Sequence, residues 1–346
     1  MFLTLYPEGA ASSRYRVTQF FPYLRDHGID CTFASAVTEA QWKSLSGPNR
    51  AGRPFWYHAK ETPRRIVQML GAGSFDAVFV QKAVMTAYLR GADRLLYARA
   101  RALVYDFDDA VHRAPPHPLR GMWTVLEDRN QVRRIMRRAS LVLAGNAWLL
   151  DESRAHVRDA HLFPTVVDTD RFVPAADAPT AFCVGWIGGP STTPHLAVAA
   201  DGLSGLPNAT IRLVGADPAR VPIASAEIRP WTLEGEVSEI QRFSVGIMPL
   251  PKDDWSRGKC ALKALLYMAC GVPCISTPFG AVLDIISHGE NGLFADSPGE
   301  WRDAVDRLRD PAERRRMGEF ARATIESRFS LRQAAPRLFE LLESVP

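Results

Sequence analysis

The chain has 346 residues, enough for two domains that each bury an ordinary core. With 47% hydrophobic and 23% charged residues, the composition excludes disordered and fibrous classes. The net charge of +4 comes from scattered arginines, which argues against a nucleic-acid partner. The basic clusters Arg133 to Arg138 and Ala312 to Arg322 fall in helical patterns and read as solvated faces, permitting at most a weak peripheral attraction to anionic membrane lipid.

Short apolar runs alternate with amphipathic stretches, the pattern of parallel sheets covered by helices on both faces. In the first half, strands are expected at 1–6, 31–37, 76–81, 102–107 and 141–146, with helices at 14–25 and 147–158 among those between them. Proline and small residues cluster without apolar periodicity in Phe163 to Ala181, as in a linker. The alternation then restarts, with strands expected at 182–188, 211–216, 227–231, 245–250, 272–277 and 292–296. The stretch "SPGEWRDAVDRLRD" opens a late helix on a Ser, Pro, Glu start signal. Cys31, Cys183, Cys260, Cys270 and Cys274 form no CxxC pair and read as reduced, structural thiols. No leader pattern opens the chain and no run approaches the ~20 apolar residues of a membrane span, so a cytoplasmic protein is expected.

Two doubly wound domains bind ligands where their strands end. Four such loops carry chemistry. "PEGAASSRYR" offers small residues, a helix start and the fixed charges of Arg14 and Arg16, which suit an anion, although an exposed flexible loop would read the same way. "VGWIGGPSTTPHL" joins a strand to a helix through Gly188 and Gly189, with the Ser191, Thr192 and Thr193 hydroxyls placed to cap that helix; it is not a dinucleotide fingerprint. "DFDDAVH" gathers Asp106, Asp108, Asp109 and His112, more carboxylates than one helix cap needs, and these groups suit a metal, sugar hydroxyls or a base. "GKCALK" places Lys259 and Lys263 four residues apart at the expected start of a helix. On one face of a first turn the two charges oppose the helix dipole unless an anion lies between them. A diphosphate would relieve that conflict.

"VGIMPLPKDDWSRGKC", "MACGVPCIST" and "GAVLDIISHGENGLFAD", in this order, resemble the C-terminal half of the GT-B glycosyltransferases of the family 4 type, the glycosyl transferases group 1. "FPTVVDTDRF" resembles the family's domain linker and "SRYRVTQFFPYL" its opening, while "GKC-x-x-K-x-x-x-YMACG" and "WIG-x-P-x-T" point to a subgroup. The resemblance implies a GT-B architecture of two Rossmann-like domains facing a cleft. Residues 1–170 would bind the acceptor, 171–326 the nucleotide sugar, and 327–346 would form a C-terminal helix packing back toward the first domain. It implies retaining transfer of a sugar from a nucleoside diphosphate to a hydroxyl of a glycan, a lipid-linked glycan or a small molecule, with no metal and no cofactor beyond the donor. Lys259 and Lys263 would hold the diphosphate, with Lys263 needed most in the transition state. Gly188, Gly189, Ser191, Thr192 and either Arg14 or Arg16 would help, and Trp231 would lie at the base. Asp108 or Asp109 would orient the acceptor hydroxyl or share its proton, with His112 the second choice. The family's two glutamates, separated by seven residues, are replaced by Gly258 and Leu266. The shared two-domain architecture leaves a sugar-nucleotide epimerase or phosphorylase standing as a second reading, and the departure at Gly258 and Leu266 leaves a third, a nucleotide-sugar binding protein without turnover.

Overall fold

Two six-stranded sheets, parallel throughout, organise the computed structural model. It describes residues 1–46, 54–85, 89–113, 125–126, 128, 130–177 and 181–346. The chain divides into one unit of Met1–Thr165 with Ala334–Pro346 and a second of Val166–Gln333.

In the first unit the strands are β1 (Phe2–Thr4), β2 (Phe33–Ser35), β3 (Ala77–Gln81), β4 (Ala102–Phe107), β5 (Leu141–Ala144) and β6 (Ala160–Leu162). Their order is β2-β1-β3-β4-β5-β6. Strands β4 and β5 are buried at every position, because helices on both faces leave a central parallel strand no wet side. The helix expected over 14–25 breaks into Ala11–Arg16, a short 3-10 turn and Phe21–Asp26. Val17 leaves the helical region there, at φ −132° and ψ −70°, and Pro22 sits in the first turn of the new segment.

The second unit holds β7 (Cys183–Ile187), β8 (Thr210–Val214), β9 (Glu227–Arg229), β10 (Val245–Met248), β11 (Cys274–Ser276) and β12 (Gly292–Phe294), in the order β12-β11-β10-β7-β8-β9. Chain direction along the sheet reverses between β7 and β10, and this switch point opens a crevice at the strands' C-terminal ends. Gly185 and Gly246 are register partners across it. Added side chains there would place Cβ 2.0 Å from the Phe243 ring and 2.3 Å from the Tyr267 ring, so the two glycines let both rings lie flat against the sheet. Past Gly185 the β7–β10 ladder stops. The Tyr267 hydroxyl fills the gap, accepting from the Ile187 N–H at 3.0 Å and donating to the Ile247 carbonyl at 3.3 Å. Ser297 and Glu300 cap the helix Pro298–Arg307 reciprocally, as its start signal predicts.

Candidate functional site

The loops after β7 and β10 meet at the switch point of the second unit. Gly188 carries no side chain for a steric reason: its Cβ would lie 2.4 Å from the Trp186 ring and 2.8 Å from Lys263 Cε. The stem of Lys263 therefore crosses the loop, and its ammonium lies 5.5 Å from the centre of the buried Trp186 ring. Gly215, at φ +77°, brings β8's end equally close, since its Cβ would stand 2.3 Å from the Gly188 carbonyl and 3.0 Å from Trp231 Cβ. Trp231 is half-buried and donates its indole N–H to Glu236 at 3.2 Å. Glu236 in turn pairs with Arg171 at 3.2 Å.

The hydroxyls of the Gly188 loop do not cap a helix as expected. Thr192 makes no capping bond; its hydroxyl donates to the Gly189 carbonyl at 3.1 Å and accepts from the Gly189 N–H at 3.3 Å. Thr193 is fully buried, donating to the same carbonyl and accepting from the Asp217 N–H at 3.0 Å. The chain continues from the loop as a 3-10 segment, Thr193–Val198, so the loop is held by its own side chains. Ser191 remains exposed at its tip.

The lysine pair also differs from the i, i+4 expectation. The helix begins only at Leu262, after Ala261 in a left-handed conformation at φ 55° and without a side-chain cap. Lys263 thus lies in the first turn, whereas Lys259 precedes the helix, with its ammonium 6.0 Å from the Trp255 ring centre. A non-glycine residue held at positive φ is strained, which is a feature of built sites. Both lysines act on His195, in the 3-10 segment. Burial first, then Lys259 and Lys263, push its imidazole down to about 4, with Asp253 pulling the other way. The switch point is thus strongly cationic.

In the first unit, the "DFDDAVH" loop follows β4 and faces the end of β3. Asp106 is buried and takes Arg16 in a two-pronged ion pair, with Arg16 Nε 3.1 Å from Oδ2; Arg16 also donates to the Phe163 carbonyl at 2.8 Å. Burial pushes the Asp106 carboxyl up, to about 6, against the pull of Arg16. Arg16, only 1% exposed, is thereby committed to the sheet and does not project as a surface anion ligand. Arg14 is buried as well, donating to the Gly9 carbonyl at 3.3 Å. Asp108 and Asp109 converge on Lys82, at 3.3 and 2.5 Å. Lys82 occupies the centre of a three-residue turn at φ 68°, in which the Ala83 N–H donates to the Gln81 carbonyl at 2.9 Å. Its own backbone is pinned by the Asp106 carbonyl at 2.7 Å and the Tyr105 hydroxyl at 2.6 Å. His112 is buried, 3.3 Å from Glu152 and against Phe107 and Trp148. Among the described residues, no group of three or more His, Cys, Asp or Glu is arranged to hold a metal ion.

Residues 178–310 match the family model described as Glycosyl transferases group 1. Sucrose-phosphate synthase from Thermosynechococcus elongatus superposes with a TM-score of 0.73 at 16% identity, over 99% of this chain and 98% of that one. Anabaena HepE, solved with UDP and glucose, gives 0.72 at 16% identity over 99% of both chains. The fold is that of the GT-B glycosyltransferases. N-acetyl-alpha-D-glucosaminyl L-malate synthase of Bacillus anthracis is 35% identical over 99 residues, 28% of this chain and 25% of that protein. D-inositol 3-phosphate glycosyltransferase of Corynebacterium urealyticum is 32% identical over 122 residues, 34% of this chain and 27% of that one. These matches span about a quarter of each curated relative.

Within the GT-B fold, the second unit gathers Gly188, Gly189, Thr192, Trp231, Lys259 and Lys263 around the β7 and β8 ends and the segment after β10. The first unit gathers Asp108 and Asp109 and sets His112 aside in an aromatic niche. Lys82, His195 and Glu236 are absent from the sequence-based candidates. Lys82 had one available signal: it follows a strand directly, at the end where such sheets carry their sites.

Proposed function

We propose that the protein is a retaining glycosyltransferase that moves a sugar from a nucleoside diphosphate, UDP first among the candidates, to a hydroxyl acceptor. The observation that carries this reading is the pair Lys259 and Lys263 on either side of an uncapped helix start, beside the glycine-lined crevice between β7 and β10. Two ammonium groups and the N–H groups of a helix start stabilise the charge that builds on a departing diphosphate. These groups supply the counter-charge within the chain, so transfer without a metal follows. Trp231 and Glu236 follow β9, with Trp231 packed by Gly215 at the β8 end, and are suited to the base and ribose. HepE, whose solved complexes hold UDP and UDP-glucose, shares the fold and supports UDP as the first choice. Asp108 and Asp109, both paired with Lys82, orient the acceptor hydroxyl.

The experiment is a thermal-shift screen with UDP, GDP, ADP, TDP and CMP without added metal. A ligand at a hundredfold excess over Kd adds about 2.7 kcal/mol to stability. UDP is expected to raise the melting temperature, and Lys259→Ala with Lys263→Ala to abolish the rise. Lys263→Ala should lower kcat as well as donor affinity. A protein that no nucleotide stabilises, or whose shift survives the double substitution, would contradict the reading.

A further inference from the structure

Two short helices of the first unit line an open cavity. Helix Ala92–Tyr97 leads into β4 and helix Gln131–Arg138 into β5, so both end at the edge of the sheet opposite the Asp108 loop. Arg94, Tyr97 and Ala98 form one wall and Arg134, Arg137 and Arg138 the other, each set spaced by three and four residues and therefore on one helix face. The cavity holds about 560 Å³, within the roughly 300–1,000 Å³ of small-molecule sites. Arg134 has its counter-charges: it pairs with the buried Asp93 at 2.8 Å, which ties the two helices together, and with Asp128 at 2.8 Å. Arg138 reaches across to the other wall, 6.0 Å from the centre of the Tyr97 ring. Among the described residues, Arg94, Arg137 and Arg138 pair with no carboxylate. Four guanidinium groups against two carboxylates leave the cluster with two positive charges in excess. An arginine cannot shed its proton to relieve that repulsion, so the counter-charge must come from outside the chain.

We propose that this cavity is a binding site for a phosphate monoester, distinct from the nucleotide crevice of the second unit and independent of that reading. The match is one of charge and of shape. A phosphate monoester carries about −1.5 to −2 charges at pH 7 and three acceptor oxygens, enough to balance the excess. The planar guanidinium fork makes paired, charge-assisted hydrogen bonds to phosphate, and here such forks come from both walls, Arg94 on one and Arg137 and Arg138 on the other. A phosphate diester, with a single charge, leaves part of the excess unbalanced. The ligand would lie at the sheet edge opposite Asp108 and Asp109, so it is an effector or a tether and not the acceptor whose hydroxyl they orient. The same chemistry is offered by a soluble phosphorylated metabolite and by the headgroup of a phosphatidate lipid.

Glycerol 3-phosphate is the soluble probe and phosphatidate in phosphatidylcholine vesicles the lipid one, with dimethyl phosphate and phosphatidylglycerol vesicles as singly charged diester controls. Calorimetry follows the soluble ligands and vesicle flotation the lipids, at neutral pH. Wild type is expected to bind a monoester about tenfold or more tightly than the matching diester, and Arg94→Gln with Arg137→Gln to weaken that binding about tenfold or more. Binding of glycerol 3-phosphate identifies a soluble occupant, and binding of phosphatidate alone identifies a lipid headgroup; either supports the site. Lys259→Ala with Lys263→Ala removes the two ammonium groups of the crevice and should leave monoester binding as in wild type. In wild type, hydrogen exchange should slow at 94–98 and 134–138 when the monoester binds, which keeps the test independent of how the variants fold. Binding lost in the lysine variant but kept in the arginine variant would place the phosphate in the crevice and overturn the proposal. Equal binding of the diesters, no slowing at 94–98 and 134–138, or no binding of either monoester would overturn it as well, and none of these three results touches the nucleotide-sugar reading.

Discussion

Single side chains decide how each sheet ends. Tyr267 bridges the point where the β7–β10 ladder stops, and its hydroxyl is the partner of both Ile187 N–H and Ile247 carbonyl. Tyr267→Phe leaves these buried groups unsatisfied at constant shape, so it should lower stability by about 1–3 kcal/mol, read as a shift in the urea midpoint. An unchanged midpoint would mean that water takes over the bridge. Lys82 plays the opposite part, a charge held among carboxylates. Burial works against its ammonium, but Asp108 and Asp109 outweigh burial and hold it above the usual lysine range. Its contribution is therefore present throughout neutral pH and lost only in strong alkali. Lys82→Met leaves two carboxylates facing each other and should cost about 3–5 kcal/mol at pH 7. That loss should shrink below the carboxylate range, where protonation removes the repulsion. A loss independent of pH would show that repulsion between the two carboxylates is not its source.

Whole elements show what a sequence can and cannot reveal. Strand β4 coincides with the run expected at 102–107, which is apolar apart from Asp106 and is buried at every position, as a central parallel strand is. Strand β6 is absent from the sequence reading: Ala160–Leu162 is half-buried at each position, pairs with β5 alone and shows no apolar run. The same limit hides Lys82, whose partners depend on the register that sets Gln81 opposite Asp106. It also hides His195, which lies more than sixty positions from the two lysines whose charge acts on its imidazole. The C-terminal helices offer a test at this scale. Arg316 and Arg307 hold the Glu313 carboxyl down, to about 2. A lowered carboxylate adds stability above its unfolded value of 4.5, and that part is lost as pH falls toward 2. Glu313→Gln should be the less stable form at pH 6 and lose less than wild type on acidification to pH 3, by urea midpoints at each pH.

For the whole molecule, the function proposed above assigns the two halves of the chemistry to different units. The second presents a cationic crevice at a switch point; the first presents a carboxylate pair steadied by a lysine. Hydrogen exchange can separate these halves without knowledge of the acceptor. Exchange of a backbone amide slows when a ligand binds it or suppresses local opening. Saturating UDP should therefore slow exchange in 187–196 and 259–265, where the crevice loop and the left-handed Ala261 hold backbone N–H groups beside the lysines. It should leave 82–84 and 106–113 unchanged, because those amides belong to the Lys82 turn and the Asp108 loop in the other unit. Protection confined to the first unit would place the nucleotide on the wrong sheet and dismantle the assignment of both sites. Protection in the second unit alone, with slowing at 106–113 only once an acceptor is added, would divide donor and acceptor between the two sheets.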